Sequence, residues 1–132
     1  MYLNAQDIFS QKTLDALRIQ SKITIDGELS EEEWNTAKTA ADFIQSSPQV
    51  GSSASQKTEV RILYDDFNIY IGAVCYDDMS QVSHVLSQRD DFNSNTDYFT
   101  FLVDTYNDDQ NGFAFGVSSM GVQYDAKVFV SE

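Results

Sequence analysis

Two strand-length runs, residues 58–64 and 69–76, are held apart by Asp65-Asp66-Phe67-Asn68. In the first, Val60, Ile62 and Tyr64 fall on one face under two-residue alternation. The second is apolar on both faces, the pattern of a central strand, and Gly72 within it marks a close approach to the backbone. A tight turn between two such runs leaves little but an antiparallel hairpin. Cys75, inside the second run, is the single cysteine. It excludes an internal disulfide and reads as a small buried core residue.

The rest of the chain repeats this grammar. Residues 97–104 form a strand with Phe99, Phe101 and Val103 on one face. Residues 106–112 form a turn, with Asn111-Gly112 as a hairpin signal. Residues 113–117 and 122–130 are two more strands, joined by Ser118-Ser119-Met120-Gly121. Residues 77–95 are polar and irregular, with a short helix predicted around 80–86. Upstream, residues 16–19 are a first strand or arm, 23–25 and 41–45 are short strands, and 46–56 are a Ser-rich surface loop containing Pro48 and Gly51. Short strands at regular spacing, separated by Gly, Asn and Asp, predict an all-β fold, an antiparallel β-sandwich with one short capped helix.

That helix follows Asp26-Gly27, a turn signal, in the run Leu29-Ser30-Glu31-Glu32-Glu33-Trp34. With Ser30 as N-cap, Glu33 completes a capping box, and Leu29 and Trp34 have the spacing of a hydrophobic staple. The expected helix covers residues 30–37, and Trp34, the only tryptophan, is its buried pin.

A chain of 132 residues is one domain's worth. The division expected is an N-terminal arm over 1–15 and a β-sandwich over 16–132. The last strand runs almost to Glu132, so further strands are expected to complete the sandwich and cover its edge. The net charge of −13 argues against nucleic acid and anionic membranes as partners, since both need clustered Lys and Arg. It suits neutral ligands such as sugars, or cations. No segment reaches transmembrane length, which excludes membrane insertion by a helix of this chain. No leader is visible, so export would require one outside this sequence.

The run Ile25-Asp26-Gly27, Leu29, the acidic Glu33 before Trp34, and Ala37 resembles the opening signature of the family 9 carbohydrate-binding module. The likeness extends from about Ala16 to the end, through residues 58–66, Ile69-Tyr70-Ile71-Gly72 and Asp77. It continues through Arg89-Asp90-Asp91, Asp97, Asp104, Asp108, Phe113-Ala114-Phe115, Gly121 and Asp125. The resemblance implies a jelly-roll-like sandwich that binds plant polysaccharides without catalysis, with structural calcium in many members. An Arg-Asp before the strand and Val103-Asp104-Thr105 ending it resemble one branch in particular. There the module opens large exported Bacteroidetes-type proteins, ahead of a long domain of unknown function, with a periplasmic, outer-membrane-associated or extracellular location. Sugar-binding members hold a ring between two Trp side chains, whereas this chain has only Trp34, in the structural signature. Thr100 stands where many members carry Glu. A structural or docking domain of the same fold is therefore the alternative.

A sugar platform needs exposed aromatic faces beside amides, carboxylates or a guanidinium. The candidates outside the core pattern are Phe92, Tyr98, Tyr106 and Tyr124, with Arg89, Gln88, Asn93, Asn95 and Gln123 as polar partners. Arg89, Phe92, Tyr98 and Tyr124 are the ligand-binding set expected. For calcium, Asp77, Asp90, Asp97 and Asp104 are the carboxylates that would serve if their loops converge. Asn107, Asp109 and Asn111 echo half an EF-hand loop, but Ser118 stands where its bidentate Glu belongs, so an EF-hand is rejected. His84, the lone histidine, reads as a surface residue, and with Cys75 it forms no catalytic arrangement.

Overall fold

The computed structural model describes residues 12–91 and 95–129. In chain order these contain β1 (Leu17–Arg18), α1 (Glu32–Thr36), β2 (Thr58–Tyr64), β3 (Ile69–Cys75), β4 (Tyr98–Val103), β5 (Asn111–Ser118) and β6 (Gln123–Phe129). Among the described residues the protein is all-β but for one short helix, and its strands form two three-stranded sheets, consistent with a β-sandwich fold. The chain divides into two units, Met1–Asp77 and Asp78–Glu132, each with one sheet.

In the first unit β2 and β3 pair antiparallel, from Thr58↔Cys75 to Tyr64↔Ile69. The turn between them is built by Asp65. Its carboxylate accepts the backbone N–H of Phe67 and of Asn68, both at 2.7 Å, and the Tyr70 hydroxyl at 2.8 Å. The first strand departs from the antiparallel expectation: β1 lies parallel to β2, with Leu17 opposite Leu63 and Arg18 opposite Tyr64. The sheet order β1-β2-β3 makes β2 the central strand. Ala40 bridges Val60 along β2 as well. Cys75, the last residue of β3, is exposed and not a core residue, because the strand is covered along its middle and open at its ends.

The core of this unit gathers Ile19, Ile23, Trp34, Ala37 and Leu63, with Leu17, Leu29 and Tyr70 packed against it. Register places Leu63 beside Tyr70, and Arg61 beside Gly72, on one face of the hairpin. A Cβ on Gly72 would lie 2.8 Å from both Leu29 Cδ2 and Trp34 Cζ3. Gly72 therefore gives the indole its seat: the close approach expected at this glycine is made by Trp34 and Leu29. The capping box does not form. The helix begins after Glu31, which is the N-cap and makes no side-chain cap. Its carboxylate instead accepts Thr24 N–H at 2.8 Å and the Trp34 indole N–H at 3.1 Å, while Glu33 accepts the Ser21 hydroxyl. These carboxylates secure residues 21–24 as an irregular segment, where a strand over 23–25 was expected. The segment 41–45 likewise contributes only a bridge, Ile44 to Ser53.

In the second unit β4-β5-β6 is an antiparallel meander. Asp104 and Asp108, rather than Asn111-Gly112, make the β4–β5 turn. Asp104 accepts the N–H groups of Tyr106 and Asp109 at 3.0 Å each, and Asp108 those of Gln110 and Asn111 at 2.9 and 2.8 Å. Asn107 and Asp109 take left-handed backbone angles, φ 51° and 55°, which Asn and Asp tolerate better than most residues. Gly112 lies within β5, at a position where a Cβ would meet Val103 O at 2.8 Å. The helix predicted around 80–86 is absent. Asp78 instead closes a turn by accepting Ser80 N–H at 2.9 Å.

Truncating Trp34 to Ala removes a buried aromatic, and urea unfolding should show a loss of about 3–5 kcal/mol. Glu31→Ala leaves the indole N–H without its acceptor and should cost about 1–3 kcal/mol in the same assay. The Phe67 N–H, then the Tyr70 hydroxyl, hold the Asp65 carboxyl down at about 2. A carboxyl lowered by folding stabilises the native state above its unfolded value of about 4 and loses that contribution as pH falls toward 2. Asp65→Asn should therefore flatten the unfolding midpoint against pH between about 4 and 2 relative to the parent, read by acid titration.

Candidate functional site

Antiparallel register sorts the second sheet into two faces, because directly paired residues project to the same side. One face collects Phe99 with Val117, Phe101 with Phe115, and Val103 with Phe113. Its continuation onto β6 is Gln123, Asp125 and Lys127, opposite Val117, Phe115 and Phe113. The surface is aromatic over β4 and β5 and polar along β6. Phe101 and Phe115 stack with ring centroids 5.4 Å apart and planes 26° from parallel, and Phe99 is tilted against Phe101 at 6.4 Å. Phe115 remains 40% exposed.

A depression of about 470 Å³ lies on this surface, with Arg89, Phe99, Phe101, Phe115, Gln123 and Asp125 in its lining. Arg89 donates to Gln123 Oε1 at 2.6 Å and pairs with Asp125, with Asp90 at 3.6 Å. The loop that carries it is laid along β6 by its backbone. Asp90 N–H donates to Gln123 O at 3.2 Å, and Asp125 N–H donates to Asp90 Oδ1 at 3.1 Å. Asp90 reaches this position with φ 64°, the left-handed region. Arg89 and Asp125 are both more than half exposed, so their pairing contributes little stability and mainly sets where the groups point. Aromatic faces beside a guanidinium, an amide and a carboxylate can stack on the C–H face of a sugar while bonding its hydroxyls.

Of the ligand-binding set expected from sequence, Arg89 and Tyr124 line this depression. Tyr124, by register, belongs with Gly116 on the opposite face, where a Gly116 Cβ would lie 3.7 Å from its ring. Tyr98 also alternates away from Phe99, and its hydroxyl donates to Asp91 O at 2.7 Å, holding the Arg89 loop. Phe92 and Asn93 lie outside the described residues. Phe99, Phe101, Phe115 and Asp125 were missed as site residues. Their signal was the two-residue alternation itself, which looks the same for a core face and a ligand face.

The four carboxylates expected to hold calcium do different work. Asp97 accepts Ser83 N–H at 2.8 Å, Asp104 makes the β4–β5 turn, Asp90 docks its loop on β6, and Asp77 ends the first unit. The Asp109 N–H heads the contacts that hold the Asp104 carboxyl below its usual range. No group of three or more His, Cys, Asp or Glu side chains gathers among the described residues. Calcium takes about six to eight oxygens, and these four carboxylates are not brought together among the described residues. His84 is exposed, as its polar surroundings predicted.

A family signature described as carbohydrate family 9 binding domain-like matches residues 25–131. The chain belongs to this family. No curated protein matches it, and no solved structure does. The family 9-like match opens at Ile25, takes in the Trp34 anchor, and spans β2 through β6. Membership makes this a carbohydrate-binding domain type, whose members act by binding rather than by catalysis.

Arg89→Ala should release the loop from β6. Amide exchange at Asp90 and Asp125 should quicken, while unfolding of the Trp34 core should shift by less than about 0.5 kcal/mol, as for other exposed pairs.

Proposed function

We propose that this protein is a non-catalytic polysaccharide-binding module of an exported multidomain protein involved in carbohydrate metabolism. The observation that carries the reading is the Phe99, Phe101 and Phe115 platform rimmed by Arg89, Gln123 and Asp125, in a chain of this family. The net charge of −13 favours neutral polymers over acidic ones, which it repels. With Trp34 buried, stacking falls to phenylalanine. The docking-domain alternative has no use for a polar-rimmed aromatic depression. Export, to the periplasm, outer membrane or beyond, is supported by the resemblance to modules that open large exported proteins. A leader sequence at the start of the full gene, or its absence, tests that part.

Titration calorimetry against xylan, mixed-linkage glucan and their oligosaccharides tests binding directly. Heat that saturates is the expected result, and Phe115→Ala should weaken it by about 0.5–1.5 kcal/mol through lost stacking. A folded protein giving no heat with any neutral glycan would overturn the reading.

A further inference from the structure

We infer that the phenylalanine face carries a second sugar subsite, so that the domain grips a run of linked rings in a neutral glycan instead of one ring alone. The inference rests on the sugar-binding reading and adds to it. A second depression, of about 300 Å³, is lined by Tyr106, Asp108, Asn111, Phe113, Lys127 and Phe129. Register places it on the same face as the first. Phe115 opposite Asp125 is followed by Phe113 opposite Lys127 and then by Asn111 opposite Phe129. Four residues along a strand advance it by roughly 13 Å, so the two depressions succeed one another along β5 and β6.

The chemistry of the first depression is repeated in the second. Tyr106 and Phe129 are 68% and 66% exposed, so both offer aromatic surface to a ligand. Polar groups stand beside them. Asn111 donates its amide to Asp108 at 2.7 Å, which leaves its carbonyl oxygen directed as an acceptor. Lys127 forms no ion pair among the described residues, so its ammonium can donate to a hydroxyl. Each depression is near the lower part of the ~300–1,000 Å³ range of small-ligand sites, which suits one or two rings apiece. On the opposite face β5 presents only Gly112, Ala114, Gly116 and Ser118.

The test is calorimetry with xylo- and cello-oligosaccharides of increasing length, from the single sugar to the hexamer, on the full chain. Affinity should rise about tenfold or more from the disaccharide to the hexamer, as linked rings occupy adjacent subsites. Tyr106→Ala and Phe129→Ala, both exposed positions, should each bring that ratio down to about threefold or less, since a lost stacking contact is worth up to about tenfold. Affinity that does not grow with length, or growth that both variants preserve, would overturn the second subsite while leaving sugar binding intact. Absence of heat at every length would overturn both readings together. Trp34 fluorescence during unfolding confirms that each variant is folded.

Discussion

The first unit depends on an indole lying against a backbone that has no side chain to resist it. Trp34 can approach the β2–β3 hairpin only because Gly72 is bare at the point of contact. The same indole needs one acceptor once it leaves water, and Glu31 provides it while also receiving Thr24 N–H. Leu29, Ile19 and Ile23 then close around the ring. One large side chain thus determines where the helix sits, how the irregular segment before it is held, and which face of the hairpin faces inward.

Acidic side chains determine the turns. Asp26, Asp65, Asp78, Asp104 and Asp108 each accept a main-chain N–H two residues ahead or close to it. The abundant carboxylates of this chain are therefore largely structural. The aspartates near β4, expected from sequence as possible cation ligands, do not gather into one cluster among the described residues.

The β2–β3 hairpin was legible to within a residue, because alternation, an apolar run and an Asp turn all point the same way. The burial of Trp34 and the need for Gly72 were equally legible. The capping box was not, because Glu31 and Glu33 both found stronger uses in residues 21–24, and local helix grammar carries no information on such long-range partners. The edge position of β3 was hidden for a similar reason: β1 arrives from a distant part of the chain and joins β2 in parallel. At the site, Arg89 was legible as an exposed cation in a polar loop. The phenylalanines beneath it were not, since period-two alternation cannot tell an inward face from one that receives a ligand. Only register, which brings Phe115 opposite Asp125, separates the two.

Carboxylates held by N–H and hydroxyl donors keep their charge to lower pH than free ones. Asp65, Asp78, Asp104 and Asp108 are all pulled down in this way by the turns they close. Composition alone puts the isoelectric point near 4.1. The turns act to move the neutral point of the folded molecule to lower pH than that. At any pH above that point the folded molecule is an anion, and copies of it repel one another.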